Sequence, residues 1–402
     1  MRVGTAGFIP ERLTEIRQAR RIPSMIALAR MLGISASTVS RWEDIDGSTS
    51  PDAETLLTLA NRLGVRQEYF LRPVFSENRP MFLRSLSAAY VRDIEYQRAQ
   101  MRWLQEVSSI IEHYVDFPVV DIPDVLEGAN YLQLRSEDLE EIALKLRRHW
   151  GMGEGPCTDV VGLMERVGFV VGGIEMGTAK LDGLCSWSPL DNRPHVLLAN
   201  DKMSFYRRQM DAAHEMAHGI LHRNVAFEEL KKNLKFIESQ AFRLAGAILL
   251  PATTYPLEAR FTTLAGLLTL KQRWHVSVKA QIRRLSDLKI ISDDYATHLY
   301  KLYSAKGWSR EEPLDRQSSP VEPRLLRDAM NLIVEEGVRS KSDLLGLEFT
   351  ISAGDVENLT GLPNGWFHSD PADIVQLKLR PPNSGEIPKA EKGEVVQFPH
   401  KK

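Results

Sequence analysis

The stretch Ala212-Ala213-His214-Glu215-Met216-Ala217-His218-Gly219-Ile220-Leu221-His222 limits what this chain can be more than any other. His214 and His218 are four positions apart, so on a helix their imidazoles lie one above the other. Two neutral ring nitrogens so placed suit one zinc ion, and Glu215 is close enough to take a proton from an attacking water. The flanks also read as helix. Phe205, Ala212, Ala213, Met216, Ala217, Ile220 and Leu221 keep a 3.6-residue period, and Ser204 can cap the start. A buried helix whose histidines merely fill polar niches is the competing reading.

A catalytic zinc site takes three protein ligands and keeps a fourth position open. Glu238 is the better candidate for the third. It follows His218 by twenty positions in an apolar-striped segment, Phe236 to Leu250, which Pro251 ends. A helical hairpin would fold Glu238 back over the histidines. His222 is the rival, rotated about 80° around the helix from His214. Three ligands on one straight helix converge poorly, so His222 is expected at the rim, backing a ligand or touching substrate.

At 402 residues the chain suits two or three domains. Its 51 basic and 53 acidic side chains leave a net charge of −2, so DNA binding must rest on a local surface. Cys157 and Cys185 are too few for a disulfide framework or a cysteine zinc site. No long apolar run occurs and Met1-Arg2-Val3 opens no signal-peptide pattern, so a reducing, cytoplasmic setting without membrane contact is expected. Peptidase chemistry inside a cell must be restrained, which favours a narrow substrate range.

Residues 1–73 read as five short helices. Leu13, Ile16 and Arg17 mark the first. Ile26, Leu28, Ala29 and Leu32 mark the second, which Gly33 stops. Ser35 or Ser37 caps a third, Thr38 to Glu43, and Asp52 to Leu63 and Gln67 to Leu71 complete the bundle. The run Leu28 to Glu43 resembles the helix-turn-helix of the phage-repressor (Xre/Cro) family. Val39 and Trp42 would pack inward, while Ser37, Thr38, Ser40 and Arg41 face outward with the chemistry that reads base edges and grips phosphates. Met25 stands where the family usually carries a glutamine, and acidic Glu43, Asp44 and Asp46 follow the recognition helix and repel phosphate. Duplex DNA bound by a homodimer is the expected partner; the alternative is a bundle kept for dimerisation or partner docking.

Residues 74–123 read as a helical linker, with Met81 to Tyr114 long and helical. A second domain, 124–313, opens with an amphipathic helix from Ser136 to Trp150. Gly151 to Pro156 is a turn and not a phosphate loop, since no lysine follows in the required spacing. Val160 to Val167 continues as helix, and Gly168 to Glu175, Leu184 to Ser188 and His195 to Ala199 look like three strands. A small antiparallel sheet beside the histidine helix would offer an edge on which an extended substrate can lie.

The pattern Trp150, Gly155-Pro156, Asp159, Leu163, Glu165 and Gly168, then Gly183-Leu184-Cys185-Ser186-Trp187, His214-Glu215, His218, Leu221-His222, Glu238, Ala241 and Leu249-Leu250-Pro251 resembles the ImmA/IrrE family. Trp274, Val276-Ser277-Val278, Ile282, Arg284, Leu288, Gly307-Trp308 and Glu312-Pro313 extend the likeness, which covers roughly Ser136 to Pro313. These are intracellular bacterial and phage zinc peptidases that cleave a cognate repressor. The resemblance implies a gluzincin-like metalloendopeptidase with ligands at His214, His218 and Glu238 and the catalytic glutamate at Glu215. It further implies a repressor or antitoxin as substrate, in a stress, phage or mobile-element circuit. Phe242 stands where the family favours asparagine and Leu244 where it favours phenylalanine. His222 and Tyr206 are the candidates for stabilising the oxyanion.

Within 262–290, Leu264 to Trp274 and Ser277 to Leu288 form a second helix-turn-helix-like pair made basic by Lys271, Arg273, Lys279, Arg283 and Arg284. A helical cap on the peptidase is its simpler reading. Residues 314–380 suggest another small unit, and 381–402 a polar tail expected to be disordered. The expected fold class is α+β, mostly α. The expected function is a zinc endopeptidase joined to a DNA-binding domain; the alternative is a transcriptional regulator or antitoxin-like protein whose peptidase fold only senses.

Overall fold

Well-placed caps lay out the N-terminal segment. Helices α1 (Pro10–Ala19), α2 (Met25–Leu32), α3 (Ala36–Trp42) and α4 (Ala53–Leu63) follow one another, and a 3-10 turn, Gln67–Leu71, stands as the fifth. Ser24, Ser35 and Asp52 accept first-turn N–H groups of α2, α3 and α4. Gly33 closes α2 at φ 69°, a left-handed conformation that suits glycine. The computed structural model describes residues 4–74, 80–82, 91–176, 182–201 and 204–368, so the tail 381–402 lies outside the described residues. Among the described residues, no helix is long and apolar enough to cross a membrane.

The linker differs from its sequence reading at its start. Its helix, α5, spans Val91–Glu112, whereas Phe82 makes an antiparallel bridge to Cys185. Helices α6 (Ser136–His149) and α7 (Val160–Arg166) then lead to strands β1 (Val170–Ile174), β2 (Gly183–Trp187) and β3 (Pro194–Ala199). Buried Arg147 donates to the carbonyls of Gly153, Gly155 and Ile248, which gives the glycine-rich turn a structural role.

The strands form one sheet in the order β1-β3-β2. Strand β2 pairs antiparallel with β3, but β1 runs parallel to it, Val170 facing His195 and Ile174 facing Ala199. The sheet is therefore mixed, where an all-antiparallel one was expected. Every strand residue is buried, because the sheet is covered on both faces, the usual setting for a parallel pair. Val171, Cys185, Val196 and Leu198 join one core, while Val170, Leu184, Leu197 and Ala199 join the other.

On the first face, α8 (Phe205–Leu221) and α9 (Phe227–Leu249) form a hairpin. Helices α10 (Tyr255–Glu258), α11 (Leu264–Trp274), α12 (Val278–Asp287) and α13 (Asp293–Ala305) close that core. The basic residues of α11 and α12 are largely spent internally: Arg284 forks onto Glu140 at 2.6 Å, and Arg283 reaches Asp287 at 2.9 Å. This pair is a helical cap. On the second face, α14 (Leu325–Glu335), α15 (Lys341–Asp343) and α16 (Ala353–Thr360) end the described chain. They meet the N-terminal bundle through a Val65–Ile351 bridge, the Arg66 N–H donating to Thr350 O at 2.8 Å, and Arg20 forking onto Asp355 at 2.6 Å. The bundle, α5, α14 and α16 thus share one core with the sheet, and the fold is α+β, mostly helical.

A buried polar node holds the cap. Glu312 accepts from the N–H groups of Val278 (2.9 Å) and Lys279 (3.1 Å), from Tyr303 (2.9 Å) and from Lys271 Nζ (2.9 Å), which also reaches Asp315 at 2.6 Å. Removing one partner of a buried ion pair leaves the other charge uncompensated, at a cost of about 3–5 kcal/mol. Glu312→Ala should lower stability by roughly that much in a urea melt. Arg316→Ala, which breaks an exposed pair with Glu311, should leave the midpoint nearly unchanged.

Candidate metal centre

From Ala212 to Leu221 every residue of α8 is buried, and Ser204 caps the helix by accepting from the Arg207 N–H. His214 and His218 bring their Nε2 atoms within 3.1 Å of each other. From α9, Glu238 meets both rings: Oε2 lies 3.4 Å from His214 Nε2 and Oε1 lies 3.3 Å from His218 Nε2. The Glu238 side chain is only 13% exposed, and neither of its oxygens accepts a hydrogen bond of normal geometry. Burial alone would raise its pKa, but the two rings hold the carboxyl below its ordinary range.

Two ring nitrogens and two carboxylate oxygens bearing lone pairs at such spacing repel one another unless a cation lies among them. A tetrahedral ion with bonds of about 2.0–2.1 Å separates its ligands by about 3.3–3.4 Å. The donor set and its 3.1–3.4 Å edges fit that requirement, and His214, His218 and Glu238 could hold a metal ion.

His222 is not at the rim. It is fully buried, with Nδ1 3.1 Å from His218 Nδ1 and Nε2 3.2 Å from Gln240 Oε1. Gln240 in turn donates to the Tyr131 carbonyl at 2.7 Å. With His218 Nε2 facing Glu238, the network assigns its proton to Nδ1, which donates to His222, and His222 donates onward to Gln240. Burial holds the pKa of His222 well below its ordinary value, in keeping with a neutral ring.

Glu215 points toward β2. A Cβ on Gly183 would lie 2.9 Å from Glu215 Cγ and 3.1 Å from Oε1, so only glycine lets the strand pass this close. Tyr206 lies about 12 Å along the helix axis from His214. Its ring is capped by Lys271 Nζ, 4.4 Å from the centroid. Aromatic rings surround the histidines: Phe82 on His218, Tyr131 on His222 and Phe242 on His214, with Phe242 centred 4.0 Å away. Leu244 is fully buried in the core, so both departures from the family pattern are accommodated. Gln240, Gly183, Tyr131 and Phe82 carried no site role in the sequence reading. Gly183 alone had a signal, its place at the head of the Gly-Leu-Cys-Ser-Trp run.

In the bundle, α3 exposes Ser37, Ser40 and Arg41, leaves Thr38 half-buried, and turns Val39 and Trp42 inward. Thr38 Oγ1 shares a 2.8 Å hydrogen bond with the capping Ser35. Glu43 is held by Arg17 at 2.7 and 3.0 Å, which neutralises one of the acidic groups behind the recognition helix.

Residues 13–70 match the family model described as helix-turn-helix. Residues 164–286 match that of peptidase family M78, described as the IrrE N-terminal-like domain. No curated protein gives a significant match to the chain. The α8–α9 hairpin lies within the second match and the exposed α3 within the first, so the chain carries a segment similar to helix-turn-helix domains, followed by one similar to the IrrE N-terminal-like domain of peptidase family M78.

Proposed function

We propose that the chain is a cytoplasmic zinc endopeptidase joined to a DNA-binding domain, acting on a repressor or antitoxin in a stress, phage or mobile-element circuit. The observation that carries this reading is the His214–His218–Glu238 triangle with Glu215 beside it under the edge of the sheet. A zinc ion held there would lower the pKa of a water and polarise a peptide carbonyl. Glu215 takes a proton from the attacking water and returns it to the leaving amine. His222 and Gln240 keep the His218 ring in one tautomer and orientation. Strand β2, at the end of the sheet, offers backbone groups to an extended substrate.

Metal analysis tests the ligands. His214→Ala and Glu238→Ala should lose the zinc, whereas His222→Ala should keep it with affinity weakened about 10–100-fold, read by competition with a chelating dye. Undiminished zinc in Glu238→Ala would remove that residue from the ligand set.

Glu215→Gln separates enzyme from sensor. Glutamine keeps the shape but cannot accept the proton, so zinc and fold should persist while cleavage falls about 10²–10⁴-fold. The readout is cleavage of a repressor encoded beside this chain, or induction of the genes it holds down. Equal induction by wild type and variant, with zinc in both, would favour the sensor.

The helix-turn-helix domain supports binding to duplex DNA, which we assign to a homodimer using Ser37, Thr38, Ser40 and Arg41. Because the bundle shares its core with α14 and α16, the test uses the full chain. Arg41→Ala should weaken binding to promoter DNA in fluorescence anisotropy and, for a lost phosphate contact, reduce the salt slope by about 1 per copy. Unchanged binding would mean that another surface makes the contact.

A further inference from the structure

The edge of β2 is where a substrate strand would lie, and the chain already sets a piece of itself there. Phe82 bridges antiparallel to Cys185, its N–H donating to the Cys185 carbonyl at 3.0 Å. Its ring stacks on His218 with centroids 4.9 Å apart and planes 9° apart, and leans on His222 at 5.7 Å. It is 2% exposed, in a small apolar cluster with Tyr131, Val225, Leu230 and Ile237 that is separate from the two main cores. A backbone bond to an edge strand, plus one large side chain in a pocket, is how proteins hold an extended peptide.

We infer that Pro80-Met81-Phe82 is a built-in competitor of the substrate, and that the pocket filled by Phe82 selects a large apolar side chain in the peptide to be cleaved. The inference rests on the peptidase reading. Register adds a positional consequence. In a strand paired antiparallel to β2 as Phe82 is, the residue two positions further on faces Gly183. Gly183 lies against Glu215. A substrate with phenylalanine, tyrosine, leucine or methionine in the pocket therefore presents the peptide bond one or two residues beyond it to the general base.

A rival role for Phe82 is a fixed wall that holds His218. The relay through His222 and Gln240 already orients that ring, and a wall has no need of a bond to the sheet edge. A tethered competitor acts at an effective concentration on the order of millimolar, so a micromolar peptide reaches the edge only when the tethered segment is weakened.

The test uses a fluorescein-labelled peptide with the sequence of residues 78–86. Its anisotropy is followed against the full-length chain, in a Glu215→Gln background that spares the peptide. Phe82→Ala empties the pocket but keeps the N–H donor, and Phe82→Pro removes both the ring and the donor; circular-dichroism melts check that both are folded. Both variants should bind the peptide at least about tenfold more tightly than their Phe82 parent. With Glu215 restored and zinc loaded, cleavage of a quenched form of the peptide should rise in parallel, cut one or two residues after the aromatic. Unchanged peptide binding in folded variants overturns the inference. So does lower cleavage without any gain in binding, which would make Phe82 a wall. Tighter binding with no cleavage upholds the place of the strand and overturns the peptidase reading instead.

Discussion

Helix α8 and its C-cap residue His222 carry three histidines and a glutamate along a segment with no exposed face, and the structure around it is an answer to that constraint. A buried polar group without a partner costs about 1–3 kcal/mol, more if charged, so each of the four dictates what must pack near it. Glu238 is drawn in by the two Nε2 atoms, Gln240 by His222, and Gly183 by the need to leave room for Glu215. The small residues between them make the approach possible. A Cβ on Gly219 would lie 2.7 Å from the Phe169 ring, and the bare Gly219 carbonyl accepts from Trp187 Nε1 at 2.9 Å. Sequence composition on one helix thus sets both the chemistry and the distance to the sheet.

The sheet passes that order outward. One face packs under α8, and the other meets α5 and the N-terminal bundle. Buried polar ties reinforce the apolar contact. Ser108 on α5 lies 2.7 Å from His195 Nε2 on β3, and Arg193 joins Glu112 at 2.9 Å while also donating to the Pro118 and Gly168 carbonyls. Burial lowers the pKa of His195, so the tie to α5 is made by a neutral ring. Arg21, in the turn after α1, donates to the carbonyls of Glu175 and Met176 just beyond β1. Helix α3 and the candidate metal centre therefore belong to one packed unit.

How far the sequence could be read depends on whether the deciding contact was local. The His214–His218 pair was legible because helical period and metal-ligand spacing coincide in five residues. Glu238 was legible because a short connection forces the next apolar-striped helix to return. The parallel pairing of β1 with β3 was not, since burial on both faces erases the alternation that marks a half-exposed strand. The depth of His222 was missed for a related reason. Its rotation on the helix was computable, but only the neighbouring helix decides that Gln240 meets it there. Phe82 was read as helix because the apolar residues after it keep a helical spacing, whereas its placement comes from the far-off edge at Cys185.

The same reasoning separates the electrostatics of the DNA face from the net charge. Globally the chain is balanced, so nothing draws it to nucleic acid at long range. Locally, Arg17 neutralises Glu43, but Asp44 and Asp46 stay exposed behind α3, and Met25 offers no polar group at the start of α2. What remains on α3 is one guanidinium and short hydroxyl side chains, which specify position better than they supply affinity. Few phosphate contacts per copy mean a shallow salt dependence and weak binding for one bundle alone. If two copies bind adjacent half-sites as proposed, the contacts would double within a single binding event, and loss of one copy would cost far more than half the occupancy.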